Sequence, residues 1–125
     1  MKKLMVSLII GHFIGDFFFQ TRDMANNKYL SGKKGFWWCT VHVLVYTTFV
    51  VMFAGVFSPV FILGVFVPHW VIDRYSVGYR WMKVIGRAYM LESPKPVEAS
   101  FGAIIYVVID QTLHFACLCV LMKFV

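Results

Sequence analysis

A chain of 125 residues is long enough for one domain and no more. With 60% hydrophobic residues and only 14% charged, and a mean hydropathy of +0.73, it cannot coat a soluble domain of that size with polar surface. The formal net charge of +6 has no polar face to sit on, which excludes a nucleic-acid partner and assigns the basic residues to anchoring in a lipid bilayer. The three cysteines, Cys39, Cys117 and Cys119, all fall in apolar stretches and offer no disulfide framework.

The first apolar segment covers about residues 4–21. Met1-Lys2-Lys3 ahead of it resembles the start of a signal peptide. His12 and Asp16 interrupt the apolar run, however, and no small-residue cleavage site follows, so the segment reads as a mature helix. A polar loop runs from Arg22 to Gly35. The second segment, about residues 36–54, enters through Phe36-Trp37-Trp38, an interfacial aromatic belt. The short uncharged turn from Gly55 to Pro59 makes segments two and three an antiparallel hairpin. The third segment, about residues 60–81, is predicted as one helix bent at Pro68, whose ring leaves the Gly64 carbonyl without its donor. A polar stretch from Lys83 to Glu98 then leads to the fourth segment, about residues 100–122. Each has the roughly 20 apolar residues needed to cross a hydrocarbon core. The expected fold is an all-α membrane protein, one domain over residues 1–125, with a four-transmembrane-helix bundle around an intramembrane His/Asp cluster.

Four crossings place both termini on one side of the membrane. Lys2, Lys3 and Lys123 lie on that side. Arg22, Lys28, Lys33, Lys34, Arg74, Arg80, Lys83, Arg87 and Lys95 lie towards the other. The asymmetry puts both polar loops in the cytoplasm and the termini outside.

The cluster is read from spacing. His12 and Asp16, His69 and Asp73, and Asp110 and His114 are each four residues apart, so each pair shares one helix face. The second segment adds His42. Segments one and three run towards the cytoplasm and read His before Asp; segment four runs the other way and reads Asp before His. In all three the carboxylate is therefore one turn nearer the cytoplasm, and the seven side chains share one slab, roughly 7–20 Å deep. Bare aspartates at such depth cost about 2.5–3.5 kcal/mol each even on the lenient insertion scale. Arg74 is the one cation the sequence places near them, close to the interface. A divalent transition metal is the natural compensator, as one or two ions: zinc first, with manganese or iron as alternatives for nitrogen and carboxylate donors. The metal ligands expected are His12, Asp16, His42, His69, Asp73, Asp110 and His114. Gln20, Asn27, Lys28, Tyr46 and Gln111 are expected to support the ligands or meet substrate. Gly11 and Gly15 are spaced to admit a neighbouring helix.

The pattern Gly11-His12…Asp16-Phe17…Gln20 with Lys28, His42 with Tyr46, His69…Asp73, and Asp110-Gln111…His114 resembles the DUF3307 family, small bacterial and phage-encoded membrane proteins of unknown function. The resemblance covers the chain from about Gly11 to His114. It implies a membrane protein with these polar positions, and no reaction; the expected location of the four-span chain is the bacterial inner membrane. By analogy only, the arrangement also resembles membrane-bound metal-dependent hydrolases of the YdjM type.

The chemistry expected of such a cluster is metal-assisted hydrolysis, with Asp16, Asp73 and Asp110 as catalytic carboxylates acting on a lipid head group or another phosphate-containing, lipid-like substrate at the cytoplasmic side. Two alternatives stand beside it. One is an ion, proton or small-solute transporter subunit, for which four helices would need a homo-oligomer. The other is a non-catalytic phage or bacterial membrane factor with a structural polar network.

Overall fold

Helix begins almost at the first residue of the computed structural model, which describes residues 1–125. Helix α1, Lys2–Phe13, continues without a break into a wider π-helical turn, Ile14–Phe18, whose register shift is marked by the Phe19 N–H bonding to the Ile14 carbonyl at 3.2 Å. Such widened turns recur at functional sites because they re-aim a side chain without ending the helix. Here the re-aimed residue is Asp16.

Helix α2, Arg22–Asn27, is one and a half turns started by Thr21, whose hydroxyl accepts from the Met24 N–H. Helix α3, Gly32–Ala54, ends at Gly55, which holds a left-handed φ of 67°. Ser58 caps helix α4, Pro59–Arg74, with Pro59 in its first turn. Tyr75 and Ser76 then break the chain, Ser76 at a φ of 47°, and helix α5, Val77–Val84, leaves at 54° to α4. A 3₁₀ turn, Ala88–Glu92, precedes helix α6, Pro96–Leu121, whose chain ends in a 3₁₀ turn, Met122–Phe124.

Four of these helices close a ring: α1 packs on α3, α3 on α4, α4 on α6, and α6 back on α1. The α1–α3 crossing is close, and glycine sets it. A Cβ at Gly11 would stand 2.9 Å from Val50 Cα, and one at Gly15 2.8 Å from Tyr46 Cα. No side chain fits at either place. Inside the ring are two layers. Leu8, Tyr46, Val50, Val51, Phe61, Val65 and Leu118 form an apolar core. Beside it lie His12, Asp16, His42, His69, Asp73 and His114, all buried. The outside is the reverse: Val6, Ile10, Phe17, Leu44, Met52, Leu63, Ile104 and Val108 are among the large apolar side chains it exposes. An interior of imidazoles and carboxylates inside an apolar exterior is the inverse of a soluble domain.

The expectation of an all-α chain holds: there is no strand. Two helices are long and apolar enough to cross a membrane, Gly32–Ala54 and Pro96–Phe124, and a third crossing arises if bent α4 and α5 count as one. Only 11% of the most apolar stretch of Pro96–Phe124 is buried inside the molecule, against 39% for Gly32–Ala54, so of these two the last helix has less protein around it.

Several boundaries differ from the sequence reading. The first helix ends at Phe18, not near residue 21, because Thr21 starts α2 inside what reads as a loop. The third segment is not one helix to residue 81. Its break falls at Ser76, eight residues beyond Pro68, and α4 runs through the proline. The last helix starts at Pro96 rather than residue 100, held by Ser93, whose hydroxyl donates to Glu98 and accepts the Lys95 N–H.

Candidate metal centre

Each wall of the ring sends one or two polar side chains inward. From α3 comes His42, from α4 His69 and Asp73, from the π turn Asp16, and from α6 Asp110 and His114. The Nε2 atoms of His42 and His69 are 3.2 Å apart. His42 Nε2 lies 3.2 Å from Asp16 Oδ1 and 3.1 Å from Asp73 Oδ2. His69 Nε2 lies 3.6 Å and 3.3 Å from the same two oxygens. All four donor atoms fall within 4.8 Å of one another, and all four residues are buried. Nδ1 of His42 and Nδ1 of His69 have no hydrogen-bond partner, so nothing but the ring's packing competes for how these imidazoles turn.

A second group, Asp73, Asp110 and His114, shares Asp73 with the first. His114 Nε2 faces Asp73 Oδ1 at 3.4 Å, while its Nδ1 is 2.8 Å from the Asp110 backbone carbonyl. The two groups bring together six of the seven expected ligands.

The seventh, His12, is outside both. Its Nε2 is 2.6 Å from Gln111 Oε1 and its Nδ1 2.9 Å from the Tyr46 hydroxyl. The partners fix the protons. The Gln111 amide nitrogen donates to Asp16 Oδ2 at 2.9 Å and to Asp110 Oδ2 at 3.3 Å, and carboxylates only accept. Gln111 Oε1 is therefore the acceptor for His12 Nε2–H, which leaves Nδ1 to accept from Tyr46. The order Tyr46, His12, Gln111, Asp16 is one directed chain of hydrogen bonds, and its end holds a carboxylate in place. His12 is 3.8 Å from Asp16 and acts on it through Gln111.

Other expected residues sort as clearly. Tyr46 bonds His12 rather than His42, which is four residues before it, and its ring lies 3.7 Å from that of His69. Asn27 does not face the cluster: its amide is exposed and donates to the Asp23 carbonyl within α2. Arg74 is not the compensating cation, since no carboxylate pairs with it. That place belongs to Lys28, which follows α2 and folds back so that its ammonium donates to Asp73 Oδ2 and to Gln20 Oε1, each at 2.8 Å. Burial works against its charge, but the Asp73 and Asp16 carboxylates outweigh it and hold the Lys28 pKa above its ordinary value. The fold-back depends on the turn started by Thr21, a capping signal that the sequence carries in Thr21-Arg22-Asp23.

Three carboxylates against one ammonium leave the cluster about two charges negative with its imidazoles neutral. One divalent cation balances that sum. The distances also fit such an ion. With donors at about 2.0–2.1 Å, the edges of a tetrahedron are about 3.3 Å long. The five donor separations above run from 3.1 to 3.6 Å.

Residues 4–125 match the model of a family described as Protein of unknown function (DUF3307). No curated protein and no solved structure matches the chain.

Proposed function

The chain belongs to the DUF3307 family, whose description names no reaction, and we propose that it is an integral membrane metalloprotein holding a divalent transition metal between Asp16, His42, His69 and Asp73. The observation that carries this reading is that two imidazole nitrogens and two carboxylate oxygens converge, with five separations of 3.1–3.6 Å, in a buried, negatively charged interior. Nitrogen and carboxylate donors at that spacing favour zinc, with manganese or iron next. Four protein donors saturate a tetrahedral ion, so this position supports the bundle: it ties α1, α3 and α4 together at the level of the π turn.

The membrane topology we propose is four crossings with both polar loops in the cytoplasm, in the bacterial inner membrane. The helix Lys2–Phe18 is only about 25 Å long at the usual rise. It qualifies as a crossing by its neighbours, since it packs along α3 and α6, which are long enough to span. A short crossing is met by local thinning of the bilayer and by Lys2 and Lys3 reaching to the interface. The nine-to-three distribution of basic residues supports the orientation.

The reaction class we assign is hydrolysis of a phosphate-containing, lipid-like substrate reaching the cluster from the cytoplasmic side. A metal ion that keeps an open coordination place activates water near neutral pH and neutralises phosphoryl oxygens. Lys28 supports this reading because it brings an ammonium to the cluster's edge from a cytoplasmic loop, where basic residues attract anionic head groups.

Elemental analysis of protein purified in detergent without chelator tests the core of the proposal. At least one transition-metal equivalent per chain is expected, lost in His42→Ala and His69→Ala. Folded, metal-free wild-type protein would overturn it, leaving a hydrogen-bonded His–Asp network or proton relay in its place.

A further inference from the structure

The second group of donors differs from the first in a way that suggests a division of labour. His114 Nδ1 bonds the Asp110 carbonyl, which can only accept, so that nitrogen carries a proton. In the neutral ring, Nε2 then presents a lone pair. It is buried, has no hydrogen-bond partner, and stands 3.4 Å from Asp73 Oδ1. A lone pair set against a carboxylate in a low-dielectric interior needs a cation between them, either a proton on Nε2 or a metal ion. The separation again approaches the edge expected around a transition metal, about 3.3 Å. Asp73 offers its two oxygens to two places: Oδ2 to His42 and His69, Oδ1 to His114.

We infer that Asp73 bridges two metal positions, and that the second, between Asp73, Asp110 and His114, is the open one that takes the phosphate group of an anionic substrate. The inference rests on the metal reading of the first position and extends it. The first position has four protein donors; the second has three, which leaves a coordination place free. Its edge is also the accessible one. The Asp110 side chain is 15% exposed, whereas those of Asp16, His42, His69, Asp73 and His114 are between 0 and 6% exposed. Lys28, 14% exposed, bonds the same bridging carboxylate. Charge names the ligand class. Two divalent ions and one ammonium against three carboxylates leave a surplus of about two positive charges, which a phosphate dianion cancels and a neutral substrate does not. Gln111 serves both positions, since its amide donates to Asp16 and to Asp110.

Cobalt titration of the metal-stripped, detergent-purified full chain, followed by visible absorption and by elemental analysis after desalting, tests this. Wild-type protein is expected to take up two equivalents, and inorganic phosphate is expected to change the spectrum of the second alone. His114→Ala and Asp110→Asn should bind one equivalent with the spectrum of the first, unresponsive to phosphate. His114→Gln, which keeps polarity at the site, checks by its melting temperature that a lost equivalent is not lost folding. Uptake that stops at one equivalent in wild type and is unchanged in His114→Ala refutes the second position and leaves the first standing; His114 is then an imidazolium paired with Asp73. No uptake at all removes both positions. Two equivalents indifferent to phosphate refute the anionic substrate.

Discussion

His42 and His69 come from antiparallel neighbours, α3 and α4, and point their Nε2 atoms at one another across 3.2 Å while two carboxylates approach the same gap. Two imidazole nitrogens that close, with carboxylates beside them, are held either by protons, shared or donated to Asp16 and Asp73, or by a metal ion that both ligate. The two differ in what a chelator does. With a metal at the gap, prolonged dialysis against EDTA should lower the melting temperature, and zinc should restore it. At zinc a hundred-fold above its dissociation constant the restored stability is about 2.7 kcal/mol. Thermal unfolding with and without chelator gives the answer, and a melting curve indifferent to both treatments counts against the metal.

The directed chain from Tyr46 through His12 and Gln111 to Asp16 makes a different demand. Gln111→Leu removes the donor that holds Asp16 Oδ2 and leaves His12 Nε2–H buried without an acceptor. An unsatisfied buried donor costs about 1–3 kcal/mol. Tyr46→Phe removes a single hydroxyl and strands only Nδ1 of His12. Both variants should lower metal affinity while keeping the stoichiometry, because neither residue belongs to the donor groups. Competition with a zinc-binding dye measures it. If His12→Gln instead abolishes stoichiometric binding, His12 is a ligand and the chain of hydrogen bonds is secondary.

How much of this arrangement the sequence displays depends on how local each feature is. The His/Asp pairs at four-residue spacing are local, and helical geometry carries them to one side of each helix. The inversion of their order on the last segment even aligns them across the bundle. What spacing does not carry is which ring nitrogen is engaged. His12 has the same spacing to Asp16 as His69 has to Asp73, yet its partner Gln111 is 99 positions away and decides its role. The sequence marks Lys28 as a residue that supports the ligands or meets substrate, but its pairing with Asp73 depends on the α2 turn. The bend falls at Ser76 and not at Pro68 because helix α4 runs through the proline and Ser76 takes a left-handed conformation, which no residue type announces in the sequence. Arg74 and Arg80 within residues 60–81 are the sign that this segment does not run straight through the bilayer.

The α1–α3 crossing predicts a graded response to added methyl groups. At Gly15 a new Cβ would meet the Tyr46 Cα at 2.8 Å and its carbonyl at 3.1 Å, and backbone does not move aside. Gly15→Ala should cost about 1–3 kcal/mol and should also weaken metal binding, since Asp16 is the next residue. Gly64→Ala meets only the end of the Leu121 side chain, which can rotate away. It should cost less and leave metal content unchanged. Melting temperatures and elemental analysis of the two variants compare them; equal losses of metal in both would break the link between the crossing and Asp16.

Lys28 yields the last expectation, because its pair with Asp73 is buried on the carboxylate side and only 14% exposed on its own. Breaking a buried pair by deleting one partner costs on the order of 3 kcal/mol. The partial exposure of Lys28 brings Lys28→Met nearer to about 2 kcal/mol. The sign of the pH dependence follows from the raised pKa. A lysine whose folded-state pKa lies above its ordinary value of 10.5 contributes stability that is fully present below that value and is lost as pH rises through the folded pKa. Between pH 6 and 9 the difference between wild type and Lys28→Met should therefore be constant, and it should shrink only above about pH 10.5. Metal should change its size. Once a divalent ion sits against Asp73, the ammonium is no longer needed to balance that carboxylate, so the variant should lose less stability with zinc present than in EDTA. Denaturation in detergent at four combinations of pH and zinc measures both effects. A penalty that is the same with and without zinc would show that Lys28 and the metal do not share Asp73.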